Sequence, residues 1–167
     1  MSLSTADASA AVGSSPMGNR WWLVLTGVLL LAALAGVAIS GYLAWENSQG
    51  KSGVCTVVHG CSTVQQSKYG KILGVPVSVP GLGLYLVLAV AAVVTMLDFR
   101  GWRAYATLIG FYGALMGLAM SAYLTYLEAF VIDAWCIYCI ASALLMVLLA
   151  AGWSANLMRE LRLRRSA

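Results

Sequence analysis

Four cysteines in two pairs, Cys55 with Cys61 and Cys136 with Cys139, are the residues of this chain best placed by type and spacing to do chemistry. A thiolate is the reactive form of cysteine, and two thiols that can meet can close and reopen a disulfide. In Cys136-Ile-Tyr-Cys139 the spacing puts both sulfurs on one face of a helix, close enough for a small, reducible disulfide. Asp133 reads as the N-cap of that helix. Cys136 would then lie in the first turn, where unpaired backbone amides and the positive end of the helix dipole favour a thiolate. Cys136 is therefore the candidate nucleophile. His59, the single histidine, stands between Cys55 and Cys61, either to assist proton transfer or simply as an exposed loop residue.

Two other readings use the same cysteines. They could be inert disulfides that brace a bundle, although a bridge across so short a helical segment closes too small a ring to stabilise much. They could also be four zinc-binding thiolates, which would require a closed tetrahedral site.

The elements that must position these sulfurs follow from composition. The chain has 167 residues, of which 61% are hydrophobic and only 10% charged, whereas a soluble domain is about one-quarter charged. Apolar runs near 20 residues are what a bilayer-spanning helix needs. Four runs qualify: Trp21 to Trp45, Pro80 to Leu97, Ala104 to Leu127, and Trp135 to about Met158. Between them lie polar breaks at Glu46 to Ser48, at Asp98 to Arg103 as a tight turn, and at Glu128 to Asp133. The expected fold is an all-α membrane protein, a bundle of four transmembrane helices with a short extracytoplasmic helix in the first loop.

In a four-span arrangement Arg20, Arg100, Arg103, Arg159, Arg162, Arg164 and Arg165 fall on one side, against Lys51, Lys68 and Lys71 on the other. Basic flanks are retained in the cytoplasm, so both termini are expected there and all four cysteines outside. That compartment permits disulfides. The net charge of +4 is then a membrane flank and calls for no nucleic-acid partner. The first run is too long, and too poor in preceding basic residues, for a cleaved signal peptide. Residues 1–19 read as a disordered cytoplasmic tail, 20–158 as the membrane domain and 159–167 as a basic cytoplasmic tail.

The connection from Glu46 to Val79 is the one long loop, and long ordered loops are usually functional. Ser62 and Gln65 form a capping box, so a short helix should start beside Cys61 and stop at Gly70. Ile72 to Val79, broken by Gly74 and Pro76, should lie at the membrane surface or dip into the bundle, with Pro80 in the first turn of the second span. Gly113 with Gly117, and Gly36 with Ser40, are small-residue faces for close helix packing. Cys139 lies a turn deeper than Cys136, where a lipid-soluble oxidant is at hand and an aqueous one is not. That position suggests a quinone.

Taken together, Cys55 and Cys61 after the first span, Cys61-Ser-Thr-Val-Gln-Gln-Ser67-Lys-Tyr-Gly70, and Cys136-Ile-Tyr-Cys139 opening the fourth resemble the vitamin K epoxide reductase family in its bacterial, disulfide-generating form. The resemblance covers about residues 21 to 158. It implies a thiol oxidoreductase of the bacterial inner membrane that passes electrons to a membrane quinone, menaquinone or ubiquinone. In the implied relay Cys55 exchanges with a reduced partner, Cys61 passes electrons to Cys136, and Cys139 faces the quinone. Ser67 resembles a family position associated with the quinone pocket, and Ala143 stands where some members that reduce the epoxide carry a tyrosine. The missing hydroxyl favours simple quinone reduction. No thioredoxin-like domain follows Met158, so the expected partner is a separate periplasmic thioredoxin-fold (DsbA-like) protein. The DsbB family shares this chemistry but carries its Cys-x-x-Cys in the first extracytoplasmic loop. A non-enzymatic scaffold with stapling disulfides would keep the spans alone.

Overall fold

The computed structural model describes residues 16–49, 71–72, 75–97, 101–132 and 135–166. Cys55, Cys61, His59, Ser67, the short helix expected after Ser62, and Asp133 lie outside the described residues. The order is α1 (Pro16–Ser48), a minimal hairpin of β1 (Lys71–Ile72) and β2 (Val75–Pro76), α2 (Ser78–Leu97), α3 (Arg103–Leu127), a π-helical turn (Glu128–Ile132) and α4 (Ile137–Ser166). Each α-helix is long and apolar enough to cross a membrane. The fold is the all-α membrane bundle that the hydropathy predicts.

The outer surfaces are what a lipid solvent requires. Leu31, Val90, Met116 and Leu144 are each more than three-fifths exposed; in water such a surface would be costly, but lipid tails are as apolar as the side chains. The interior holds Leu29 and Ala33 of α1, Tyr85, Leu88 and Ala92 of α2, Ala114 of α3, and Leu149 and Trp153 of α4. The helices pack as a ring in which α1 meets α2, α2 meets α3, α3 meets α4, and α4 returns to α1.

Small residues set how closely the helices approach. A methyl group at Gly36 would collide with the Tyr85 ring, and one at Gly110 would lie 2.5 Å from three ring atoms of Trp153. At Gly117 it would meet Met146 Sδ at 2.6 Å. Gly152, not singled out in the sequence, makes room for Leu29. Buried hydroxyls turn back onto their own helices: Thr26 to the Trp22 carbonyl (3.0 Å), Thr95 to Ala91 (2.7 Å) and Thr107 to Arg103 (2.9 Å). These three hydroxyls are thereby satisfied within their own helices.

One end of the bundle gathers the basic residues. Arg103 and Arg159 both lie against the Trp22 indole, at 4.2 Å and 5.3 Å from a ring centroid, and Arg103 pairs with Glu160 at 2.6 Å. Trp22 also donates its ring N–H to Asn156 Oδ1 at 3.0 Å. Gly101, just ahead of α3, has φ +77°, a backbone that other residues rarely adopt. Cys136 lies at the opposite end of α4 from this cluster.

Three sequence boundaries move. The break expected from Glu128 is absent: the chain stays helical to Ile132 by widening into a π turn, and the Glu128 N–H reaches both the Leu124 and Thr125 carbonyls. The fourth helix runs on to Ser166, because its polar last turns include basic residues that suit a helix C-terminus. The segment after Ile72 folds back as an antiparallel hairpin with Lys71 opposite Pro76 and Ile72 opposite Val75. Pro76 thus sits on a two-stranded edge, where a missing N–H is tolerated.

Candidate active site

Cys136 is the N-cap of α4 and not part of its first turn. Its carbonyl accepts the Ile140 N–H at 3.0 Å, and its own N–H is taken by Glu128 Oε2 at 3.3 Å. That second bond corrects the expected helix start: the carboxylate reaches across from the π turn and holds the Cys136 backbone outside the helix. Among the described residues Cys136 and Cys139 are free thiols; Cys136 is fully buried, packed by Ile132, Tyr138 and Cys139.

The cap position retains the expected electrostatics. The Cys136 thiol is held below the ordinary thiol range, chiefly because the Cys139 thiol hydrogen-bonds to its sulfur. The backbone N–H groups of Cys139 and Tyr138 assist, while burial and the charge of Glu128 oppose. An N-cap side chain ordinarily accepts from the second and third helical N–H groups, and here the acceptor is sulfur.

Below the pair lies a cavity of about 360 Å³ with an almost wholly apolar lining from all four helices. Cys139, Tyr138, Ser142 and Met146 line it from α4, Gly117 and Leu124 from α3, and Leu84 from α2. Ala143, expected to line a ligand pocket, is half-buried and not on its wall. At about 100° per residue the lining positions form a sector ending at Cys139, and Ala143 falls about 40° beyond that edge. The cavity's volume and lining suit a flat, apolar, drug-sized ring system, since such sites hold about 300–1,000 Å³ with a few polar groups.

Those polar groups are ones the sequence did not single out. Tyr85, fully buried, engages Ser142 through its hydroxyl, 2.8 Å from Oγ and 3.1 Å from the carbonyl oxygen. Ser78 Oγ and Glu128 Oε1 also face the cavity, without a well-aligned hydrogen-bond partner among the described residues. A signal for Glu128 did exist: an acid inside an apolar span is rare and usually functional, and this one stands eight residues before Cys136.

Two adjacent thiols, one activated as a thiolate and one opening onto an apolar cavity, can exchange a disulfide on one side and deliver two electrons on the other. The sequence profile of the vitamin K epoxide reductase family matches residues 27–152, more than half of the chain.

Proposed function

The chain belongs to the vitamin K epoxide reductase family, and from that premise we propose that it is a quinone-dependent thiol–disulfide oxidoreductase. It oxidises the dithiol of a separate periplasmic thioredoxin-fold (DsbA-like) protein and passes the electrons to a membrane quinone, supporting disulfide formation. The observation that carries this reading is the free thiol of Cys139, one turn from Cys136, on the wall of an apolar cavity between spanning helices.

The chemistry divides into exchange steps. A partner thiolate attacks the Cys55–Cys61 disulfide and leaves with its own disulfide after a second attack. Cys61, now a thiolate, attacks Cys136 and releases Cys139. Cys55 then displaces Cys136 from Cys61, leaving Cys136 and Cys139 as a dithiol. A bound quinone supplies a two-electron, two-proton acceptor, so dithiol plus quinone gives disulfide plus hydroquinone. Ser67 belongs to this reading as a further pocket residue. Tyr85 and Ser142 hold the α2–α4 wall, Ser78 Oγ offers a donor, and the apolar lining keeps water from the reduced sulfur.

Sidedness follows from charge. Arg103 and Arg159 lie against Trp22, with Arg103 paired to Glu160, at the end opposite Cys136, and a basic end is retained in the cytoplasm. Both termini are then cytoplasmic and the cysteine pair is extracytoplasmic, in the bacterial inner membrane.

Mapping disulfides by mass spectrometry under non-reducing conditions tests the relay. Cys139→Ala should trap a Cys61–Cys136 mixed disulfide, because the resolving thiol is gone. Finding no such linkage would count against it.

A further inference from the structure

Glu128 is an acid inside a membrane-spanning helix, with a residue exposure of 1%. An ionisable group at that depth is expensive and is kept where it pairs or carries protons. Among the described residues Glu128 Oε2 accepts the Cys136 N–H at 3.3 Å, and Oε1 has no aligned partner. Glu128 and Cys139 line the same cavity, and the carboxylate already holds the backbone of Cys136, the residue to whose sulfur Cys139 would bond.

Opening a Cys136–Cys139 disulfide by attack at Cys136 leaves the departing charge on Cys139, at an apolar wall. An unpaired thiolate there is costly, so a protein group that can give up a proton favours the opening. From α1, the polar residues on the cavity wall are Ser40 and Asn47; from α2, Ser78 and Tyr85; from α3, Ser121 and Thr125; from α4, Tyr138 and Ser142. Phenols, with ordinary pKa near 10, are weaker acids than a thiol near 8.5, and hydroxyls and amides are weaker still. Among the described residues on the wall, only the Glu128 carboxyl has the acidity for the task.

We propose that Glu128 is a catalytic acid–base residue that hands a proton to the Cys139 sulfur as the Cys136–Cys139 disulfide opens and takes it back as the disulfide closes. In the opening step a thiolate attacks Cys136 and the S–S electron pair goes to Cys139. That sulfur takes the Glu128 carboxyl proton, giving a mixed disulfide on Cys136, a Cys139 thiol and a carboxylate. In closing, the carboxylate takes the Cys139 proton, the sulfur pair re-forms the bond to Cys136, and the thiolate departs. The π turn contributes geometry: the wider turn begins at Glu128, and such turns recur at functional sites.

The proposal rests on the redox reading of the pair but not on the quinone, so the test uses none. In the full-length chain carrying Cys55→Ser and Cys61→Ser, the Cys136–Cys139 disulfide is closed with diamide and reopened anaerobically with dithiothreitol, with free Cys139 followed by alkylation and mass spectrometry. Glu128→Gln keeps an oxygen for the Cys136 N–H but cannot carry a proton. It should slow reopening at least tenfold, at the low end of general acid catalysis or below it. It should also abolish a solvent deuterium isotope effect present in the parent chain. After correction for reagent thiolate, the parent rate should fall as pH rises and the Glu128→Gln rate should be flat. Glu128→Asp, a shorter acid, should restore part of the rate and the isotope effect. Parent-like kinetics in Glu128→Gln would overturn the proposal and leave Glu128 a tether for the Cys136 backbone. A pair that diamide cannot close in the parent chain would instead overturn the redox reading beneath it.

Discussion

Replacing Gly110 by alanine probes how α3 and α4, which carry Glu128 and the cysteine pair, are held together. The added methyl would lie 2.5 Å from three ring atoms of Trp153, a fully buried indole in the central cluster. Carbon atoms rest about 3.5–4.0 Å apart, so the ring must retreat by about 1 Å. Overpacking of this kind costs about 1–3 kcal/mol. Alanine recovers about 1 kcal/mol of helix propensity, leaving a net loss of up to about 2 kcal/mol. For a chain of this length that lowers Tm by up to about 8 °C. Gly113→Ala is the matched control on the same helix. Its methyl meets only flexible leucine ends, Leu88 Cδ2 at 3.3 Å and Leu84 Cδ1 at 3.6 Å, so propensity should offset crowding and Tm should hold or rise. Thermal unfolding in detergent, monitored by circular dichroism, reads both. Equal Tm values for the two variants would refute the packing argument.

Three further outcomes follow from the site. Alkylation of Cys136 by iodoacetamide should persist below the pH at which an ordinary thiol, near 8.5, loses its thiolate. Cys139→Ala removes the main cause of that shift, so it should move the alkylation profile to higher pH; an unmoved profile would contradict the sulfur–sulfur hydrogen bond. Tyr85→Phe deletes the hydroxyl that engages Ser142 and should cost about 1 kcal/mol, measured as a Tm drop of about 2–4 °C. An impermeant maleimide should label the reduced chain from outside intact spheroplasts; labelling only after lysis would reverse the proposed orientation.

The membrane fold was legible because a bilayer demands long apolar runs, and Trp21 to Trp45 or Ala104 to Leu127 permit little else. The small-residue faces were legible too, since Gly117 admits Met146 and Gly36 admits Tyr85 as close packing requires. Cys136 and Cys139 announced themselves by type and spacing. Glu128 did not, because a polar residue at the end of an apolar run reads as a break, and the π turn that continues the helix depends on tertiary contacts. Tyr85 was hidden for the opposite reason. Its surroundings, Leu-Tyr-Leu within an apolar run, give no hint that its hydroxyl meets Ser142 across the bundle. Ala143 entered through the family resemblance, and the helical rotation from Cys139 puts it about 40° beyond the residues that line the cavity.

The most direct test of the account is anaerobic, single-turnover quinone reduction by the fully reduced chain in nanodiscs, comparing the parent with Cys139→Ala. The parent should yield hydroquinone and protein disulfide in equal amounts, and Cys139→Ala should yield neither. Equal hydroquinone formation by both proteins would contradict the assignment of Cys136 and Cys139 as the electron-donating pair.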